Sequence, residues 1–371
     1  MPQGDRPDRV RPWPSDDLPS TSDGEPPLAG RNRRSSKPLT VKGLVGRALV
    51  VGVAGVAFYI ILPSLAKVLG AWPRLSTLSP IWMVGALVAE SVSFGCAFAL
   101  QRLFLRTKGW FAVVCAGIVG NAVTDVLPAG DAVGGGVQFE MLQATGIDAA
   151  SAAGGLTASS MLGIGALLAL PIFTLPAILG GSPVNPGLQR TAYVGLGGFV
   201  LFAMCGLIVL ATDKPLAMFG RIVQRVWNAL ARPKKPLRGF DRRLLEERDA
   251  IRTALGEKWR QAVLLTTARL AFDYASLLFA LRATGSEPRP SLVLLAYAAT
   301  GILGFLPITP GGLGIIEAGL SSMLILAGVS PNKAFLATLA YRLCSYWLPL
   351  MAGPDAYFLF RRRYRAKARP R

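Results

Sequence analysis

Eight ionisable side chains, Glu90, Asp125, Asp131, Glu140, Arg269, Asp273, Glu317 and Arg342, stand in stretches that are otherwise nearly free of charge. A lone Asp, Lys or Arg at the centre of a membrane helix costs roughly 2.5–3.5 kcal/mol, so such charges face one another, water or a ligand. The chemistry open to them is ion pairing, ligand binding and proton exchange. Arg269 and Asp273 lie one helical turn apart on a shared face, a spacing that favours an intrahelical pair. Glu317 and Arg342 fall on adjacent segments; they are expected to pair when nothing is bound and to contact a substrate otherwise. Glu90, alone in its segment, either holds a proton or meets an arginine. The excess of acids over bases leaves room for proton coupling, although burial alone also favours a protonated carboxyl.

The run Pro310-Gly311-Gly312-Leu313-Gly314-Ile315-Ile316-Glu317 puts helix breakers and a carboxylate at the end of a stretch, Ser291 to Ile316, with no charge at all. In hydrocarbon every backbone N–H and C=O needs an internal partner, so Pro-Gly-Gly is tolerable only beside protein or a wet cavity. A helix restarting near Gly314 would aim its first N–H groups and positive dipole end at that cavity, an environment suited to an anion. The plainer alternative is that Glu317 caps its own helix. The pattern occurs twice. A shift of 182 places Pro128 on Pro310, Gly130 on Gly312, Met141-Leu142 on Met323-Leu324, and Gly146-Ile147 on Gly328-Val329. Asp148 and Ser330 follow, both good N-cap residues. Paired, Gly/Pro-interrupted apolar segments in two halves point to a transporter site at the repeat interface.

Composition agrees with a polytopic membrane protein: 371 residues, 52% hydrophobic, mean hydropathy +0.44. The net charge of +19 is concentrated outside the apolar runs, where it sets topology and meets anionic lipid, so nucleic acid is not an expected partner. The absence of histidine removes His-based metal sites, bases and proton relays. Cys96, Cys115, Cys205 and Cys344 lack metal-ligand spacing and read as reduced packing residues. No cofactor is expected, and no nucleophile–base set that would make the chain an enzyme can be named.

In order, residues 1–40 read as a disordered cytoplasmic tail. Residues 41–212 form a first membrane half with spans Ala48–Ala66 and Ile81–Leu100, a broken hairpin from Trp110 to Thr145, and long apolar runs beyond. Residues 213–260 carry 13 Lys or Arg against 6 Asp or Glu and read as a cytoplasmic loop. Within it Met218, Phe219, Ile222, Val223, Val226, Trp227 and Leu230 share one helical face, either an interfacial helix or half of a small helix pair. Residues 261–360 form a second half, with 191–212 as its first span, and 361–371 a basic cytoplasmic tail. The expected fold is all-α, about eight transmembrane elements in two inverted repeats, each with a broken or re-entrant hairpin.

The segment from Pro307 to Glu317, with its Pro-Gly-Gly-x-Gly-x-x-Glu pattern, resembles the flippase-like transmembrane family of lysylphosphatidylglycerol synthetases, and the resemblance extends over about residues 40 to 360. It implies an integral membrane protein that moves a lipid or lipid-linked head group between leaflets. The transferase module of two-module relatives has no room in the 213–260 segment, which argues against synthetase activity. Where relatives carry Pro-Gly and then a basic residue, this chain has Pro128-Ala129-Gly130-Asp131, so the head group is left open.

The reading is a translocator in the cell membrane, both termini cytoplasmic, whose partners are membrane lipids with anionic head groups. Its expected substrate contacts are Pro310, Gly311, Gly312, Gly314, Glu317, Arg342, Arg269, Asp273, Glu90, Pro128, Gly130 and Asp131. Two other readings stand beside it: a proton-coupled transporter of a small solute, and a non-transporting scaffold that recruits an envelope- or lipid-synthesis enzyme.

Overall fold

A computed structural model describes residues 78–127, 130–174, 186–213, 240–304 and 309–365, together with Gly70, Pro73 and a few positions between 217 and 225. The expected span Ala48–Ala66, the N-terminal tail, Pro128 and most of the expected interfacial helix lie outside the described residues. Among those described, every regular element is a helix. They are α1 Pro80–Phe104, α2 Trp110–Val126, α3 Gly130–Ala144, α4 Ala149–Ala169 with a 3-10 turn Leu170–Thr174, and α5 Pro186–Ala211. After them come α6 Phe240–Ala283, α7 Pro290–Leu303, α8 Ile315–Leu326, α9 Pro331–Arg342 and α10 Leu348–Arg365.

Local chemistry sets the boundaries. Pro80, Pro290 and Pro331 open α1, α7 and α9 in the first turn, where a missing N–H leaves no bond unmade. Asp148 caps α4 by accepting from the amides of Ala150 at 3.1 Å and Ser151 at 2.9 Å. Hydrogen bonding from Ser151, side chain first and then amide, holds the Asp148 carboxyl below its ordinary range. Ser330, expected to cap α9 in the same way, makes no side-chain cap bond. α3 and α8 end on left-handed glycines, Gly146 at φ 92° and Gly328 at φ 94°. Their amides donate to Gln143 and Ile325, each at 2.9 Å, and the carbonyls of Asp148 and Ser330 accept from Ala152 and Ala334, again at 2.9 Å. Each of these pairs is 182 residues apart (328 − 146, 334 − 152), so the offset seen in side chains recurs in backbone geometry.

Among the described residues, three helices are long and apolar enough to cross a membrane by length and composition: Pro80–Phe104, Ala149–Phe173 and Lys258–Ala283. α6 is kinked at Lys258 (φ −127°, ψ 19°), which divides a polar arm from the apolar part. That arm begins at Phe240, so the basic segment expected as a loop to 260 is helical from Phe240 onward. Arg248 on the arm reaches Asp213, just past the end of α5, at 2.5 Å.

α1 and α6 run antiparallel along their length. The Ser79 amide donates to the Ala283 carbonyl at 3.3 Å and Trp82 stacks on Phe279 at one end, while Leu100 and Phe104 share a buried cluster with Ala262 at the other. α2 lies antiparallel to α10, with Phe111 beside Tyr364 and Ala122 beside Gly353. Arg102 stacks on Trp110 and Arg363 on Phe111, which gathers basic residues from α1, the α1–α2 turn and α10 at one end. Small residues let the helices approach, as packing in lipid requires. Gly120 and Gly134 face each other at the α2–α3 contact, where a side chain on either would crowd the opposing backbone.

Candidate functional site

The two interrupted segments meet. Gly311, at φ 54° in a 3-10 turn Pro310–Gly312, has no room for a Cβ against the Tyr346 ring, and one would stand 3.0 Å from the Cα and carbonyl oxygen of Asp125 at the end of α2. Only glycine fits both the dihedral and the space.

Arg342 ends α9 and fastens this junction. Its Nε donates to Glu317 Oε1 at 2.8 Å, its Nη2 donates to the Gly311 carbonyl at 2.9 Å, and its guanidinium lies 4.4 Å from the Tyr346 ring centre. Tyr346 OH donates to the Asp125 carbonyl at 3.0 Å. Tyr346 belongs to a π-helical turn, Leu343–Trp347, of the kind that marks functional positions in helices. Glu317 pairs with Arg342 through one oxygen and accepts the Gly314 amide on the other at 2.5 Å, capping α8 itself. The Gly312 and Leu313 amides donate to the carbonyls of Thr309 and Pro310 at 3.0 and 3.1 Å. Three amides of the expected anion cradle are therefore bonded within the chain, and Pro310, Gly311, Gly312, Gly314 and Glu317 do not line the cavity beside them.

That cavity has a volume of about 550 Å³, the scale of a small ligand or head group. The first half contributes neutral polar groups, among them Gln101, Asn121, Gln138, Ser159 and Ser160. The second half contributes Arg269, Asp273, Tyr297, Thr300, Tyr341 and one side of Arg342. Gln138 Nε2 donates to Gln101 Oε1 at 2.8 Å. Asp273 accepts Tyr297 OH on Oδ2 and Tyr341 OH on Oδ1, both at 2.6 Å.

Arg269 and Asp273 do not form the ion pair their spacing suggests. Two tyrosines occupy the carboxylate, and Arg269 makes no hydrogen bond and no ion pair among the described residues. Its Nη1 lies over Gly163, where a Cβ would stand only 3.2 Å away, so the glycine makes space for the guanidinium. Both Arg269 and Asp273 fall near the middle of the Lys258–Ala283 span.

The remaining expected contacts divide. Asp131 lines the cavity and is exposed at its edge. Gly130 is buried off the wall, its carbonyl taking the Thr124 hydroxyl at 3.1 Å. Glu90 is 3% exposed and does not line the cavity, and Glu140, counted among the charges in apolar surroundings, is exposed on α3. No group of His, Cys, Asp and Glu suited to a metal ion occurs among the described residues. Of the cysteines, Cys115 and Cys344 are buried, whereas Cys205 is exposed on α5.

The class of molecule follows from these features: an all-α membrane protein whose polar cavity, with an arginine that makes no hydrogen bond or ion pair among the described residues, is walled by apolar helices. The chain belongs to the family described as the lysylphosphatidylglycerol synthase TM region, which it matches over residues 48–353. No curated protein matches it. A membrane-embedded family of that description fits interaction with lipid and a part in lipid modification or translocation.

Charge in an apolar run led to Arg269, Asp273, Arg342 and Asp131. It passed over the tyrosines, amides and serines of the wall, which are common in any helix. One signal for them was present: applied to Tyr341 and Arg342, the offset of 182 lands on Ser159 and Ser160, and all four line the cavity.

Proposed function

We propose that the protein moves a phospholipid or lipid-linked substrate with an anionic head group across the cytoplasmic membrane, by binding and conformational change without covalent chemistry. The observation that carries this reading is Arg269: a guanidinium with no hydrogen-bond or ion-pair partner among the described residues, beside an Asp273 carboxylate already held by two tyrosine hydroxyls, in a cavity near the middle of an apolar helix. Such a charge is costly unless water or a ligand compensates it. The surrounding amides and hydroxyls suit phosphate oxygens and the alcohol groups of a head group. The antiparallel α1–α6 pair and the recurrence at 182 support two inverted halves able to rock about the cavity. The gathered basic residues at the α1 and α10 ends support a multi-pass topology with both termini on the cytoplasmic side.

The test is reconstitution into liposomes carrying phosphatidylglycerol with a quenchable fluorescent label, with lipid exchange followed by quenching of the outer leaflet. Wild type is expected to accelerate exchange over empty vesicles. Arg269→Gln is expected to lose at least about tenfold, since a charge-assisted hydrogen bond contributes about 1.5–3 kcal/mol. Exchange no faster than in empty vesicles, or an Arg269→Gln protein as active as wild type, refutes the proposal.

A further inference from the structure

Behind the cavity wall lies a second carboxylate that the binding reading leaves without a task. Glu90 sits near the middle of α1, 3% exposed, and its Oε2 has no hydrogen-bond partner among the described residues. The register of the antiparallel pair fixes what it meets. Ser79 lies against Ala283, Trp82 against Phe279, and Leu100 in one cluster with Ala262, so Glu90 falls opposite Asp273. The charged and titratable groups within reach of it are Asp273 and Arg269 on α6, Tyr297 on α7, Tyr341 on α9 and Cys344 in the π turn. α2 and α4, which also pack on α1, bring none.

Two carboxylates thus adjoin one guanidinium, Asp273 beside Arg269 on the cavity wall and Glu90 buried behind them. Both cannot hold their charge, because like charges at that range oppose ionisation and only one cation offsets them. The hydrogen bonds decide which one keeps it. Asp273 accepts a hydroxyl hydrogen bond on each oxygen, the environment of an anion, while Glu90, buried against α6, has an oxygen that no donor reaches among the described residues, the environment of a neutral acid.

We infer that Glu90 is a proton-binding site linked to the cavity, so that a proton on Glu90 and an anionic group on Arg269 are bound together. The link is electrostatic. Arg269 is the one positive charge near the carboxylates among the described residues; an anion seated on it cancels that charge and makes a second ionised carboxylate more costly, which favours Glu90 taking up a proton. Linkage is reciprocal, so a protonated Glu90 strengthens anion binding by the same factor. Asp273 and the two tyrosine hydroxyls stand between Glu90 and the cavity and offer the proton its route to water. This inference rests on the cavity being an anion site, and it makes protons a co-substrate of the proposed movement.

The full-length protein in detergent is titrated with dihexanoyl phosphatidylglycerol by calorimetry from about pH 7 to about pH 10, in buffers of differing ionisation enthalpy. Affinity in wild type is expected to hold while the unliganded protein keeps the Glu90 proton and to fall above that point, by at most about tenfold per pH unit, the limit for one linked proton, with proton uptake on binding rising from near zero towards one over the same interval. Glu90→Gln, locked in the neutral form, is expected to bind with an affinity that stays within about twofold across that range. A flat wild-type profile without proton uptake, or a Glu90→Gln profile parallel to wild type, overturns the linkage and leaves the anion site standing. An infrared pH titration of wild type separates the remaining case without any variant. If the probe does not bind, the anion reading fails; a titrating buried-carboxyl band that vanishes in Glu90→Gln then still supports the proton site, and no such band overturns it.

Discussion

Removing the Arg342 side chain tests whether the guanidinium is a fastener or a free ligand for substrate. The side chains of the pair are 10% and 17% exposed, so Arg342→Ala strands a largely buried Glu317 and the carbonyl of Gly311. Breaking a buried pair by deleting one partner costs about 3–5 kcal/mol, and the low end applies to a pair that is not fully enclosed. The lost contact with the Tyr346 ring adds about 0.5–1 kcal/mol. At about 2–4 °C per kcal/mol, the sum of roughly 3–4 kcal/mol lowers the melting temperature by about 10 °C. Glu317→Gln keeps an acceptor for the Gly314 amide and loses only the charge, so its penalty is smaller, about 1–2 kcal/mol. The Arg342→Ala/Glu317→Gln double variant should fall short of the sum of the single effects by about 1–3 kcal/mol, because the second change removes a group already orphaned. Intrinsic-fluorescence melting of the purified proteins in detergent reads all three. An Arg342→Ala protein melting within about 2 °C of wild type, or strictly additive shifts, would refute the clasp.

Two further perturbations follow from the same geometry. Gly311→Ala places a Cβ against the Tyr346 ring and the Asp125 backbone at a left-handed φ, so it should destabilise by more than the roughly 1–2 kcal/mol of the dihedral alone and reduce transport with it, as melting and liposome exchange would show. Asp148, outside the apolar spans, has a carboxyl held below its ordinary range by hydrogen bonds led by Ser151, so its contribution is present above the unfolded-state value and is lost as pH falls through the folded one. Asp148→Ala should lower stability at neutral pH and flatten that acid-side loss, which melting curves taken between about pH 3 and pH 7 would reveal.

The sequence carried the helices well wherever breakers and caps punctuate it. Proline openers at 80, 290 and 331, the Asp148 cap and the left-handed glycines at 146 and 328 each stand where their chemistry demands. What it could not resolve was the partner of each charge. Spacing put Asp273 within reach of Arg269, but Tyr297 and Tyr341, brought from 24 and 68 residues away, reach the carboxylate instead. Glu317 and Arg342 do meet, as adjacent segments suggested, yet the meeting closes the glycine turn rather than opening it to a ligand. The Pro-Gly-Gly run is the most distinctive stretch in the chain, and its distinctiveness belongs to the junction of two helices; the cavity wall beside it is made of ordinary residues whose only common property is the side they face.

Positions 182 residues apart share turn and cap geometry at Gly146 and Gly328 but do not share charge, and under the proposed function that asymmetry bears on how a translocator would work. Arg269 and Asp273 on α6 correspond at the 182 offset to Leu87 and Ser91 on α1, an exposed leucine and a serine bonded to its own helix at 2.7 Å. Under the proposed rocking of halves, an anion on Arg269 keeps the same partner whichever way the cavity faces. A ligand that binds two states equally shifts neither, so the head group alone would trap no conformation and impose no direction. Direction has to come from a group whose surroundings change as the halves move. Glu90 is placed for that, since it lies on α1 while the carboxylate and cation it senses lie on α6, and any slip of one helix along the other alters their separation. The seam between α1 and α6, rather than the cavity itself, is therefore the place where a proton gradient would enter the cycle.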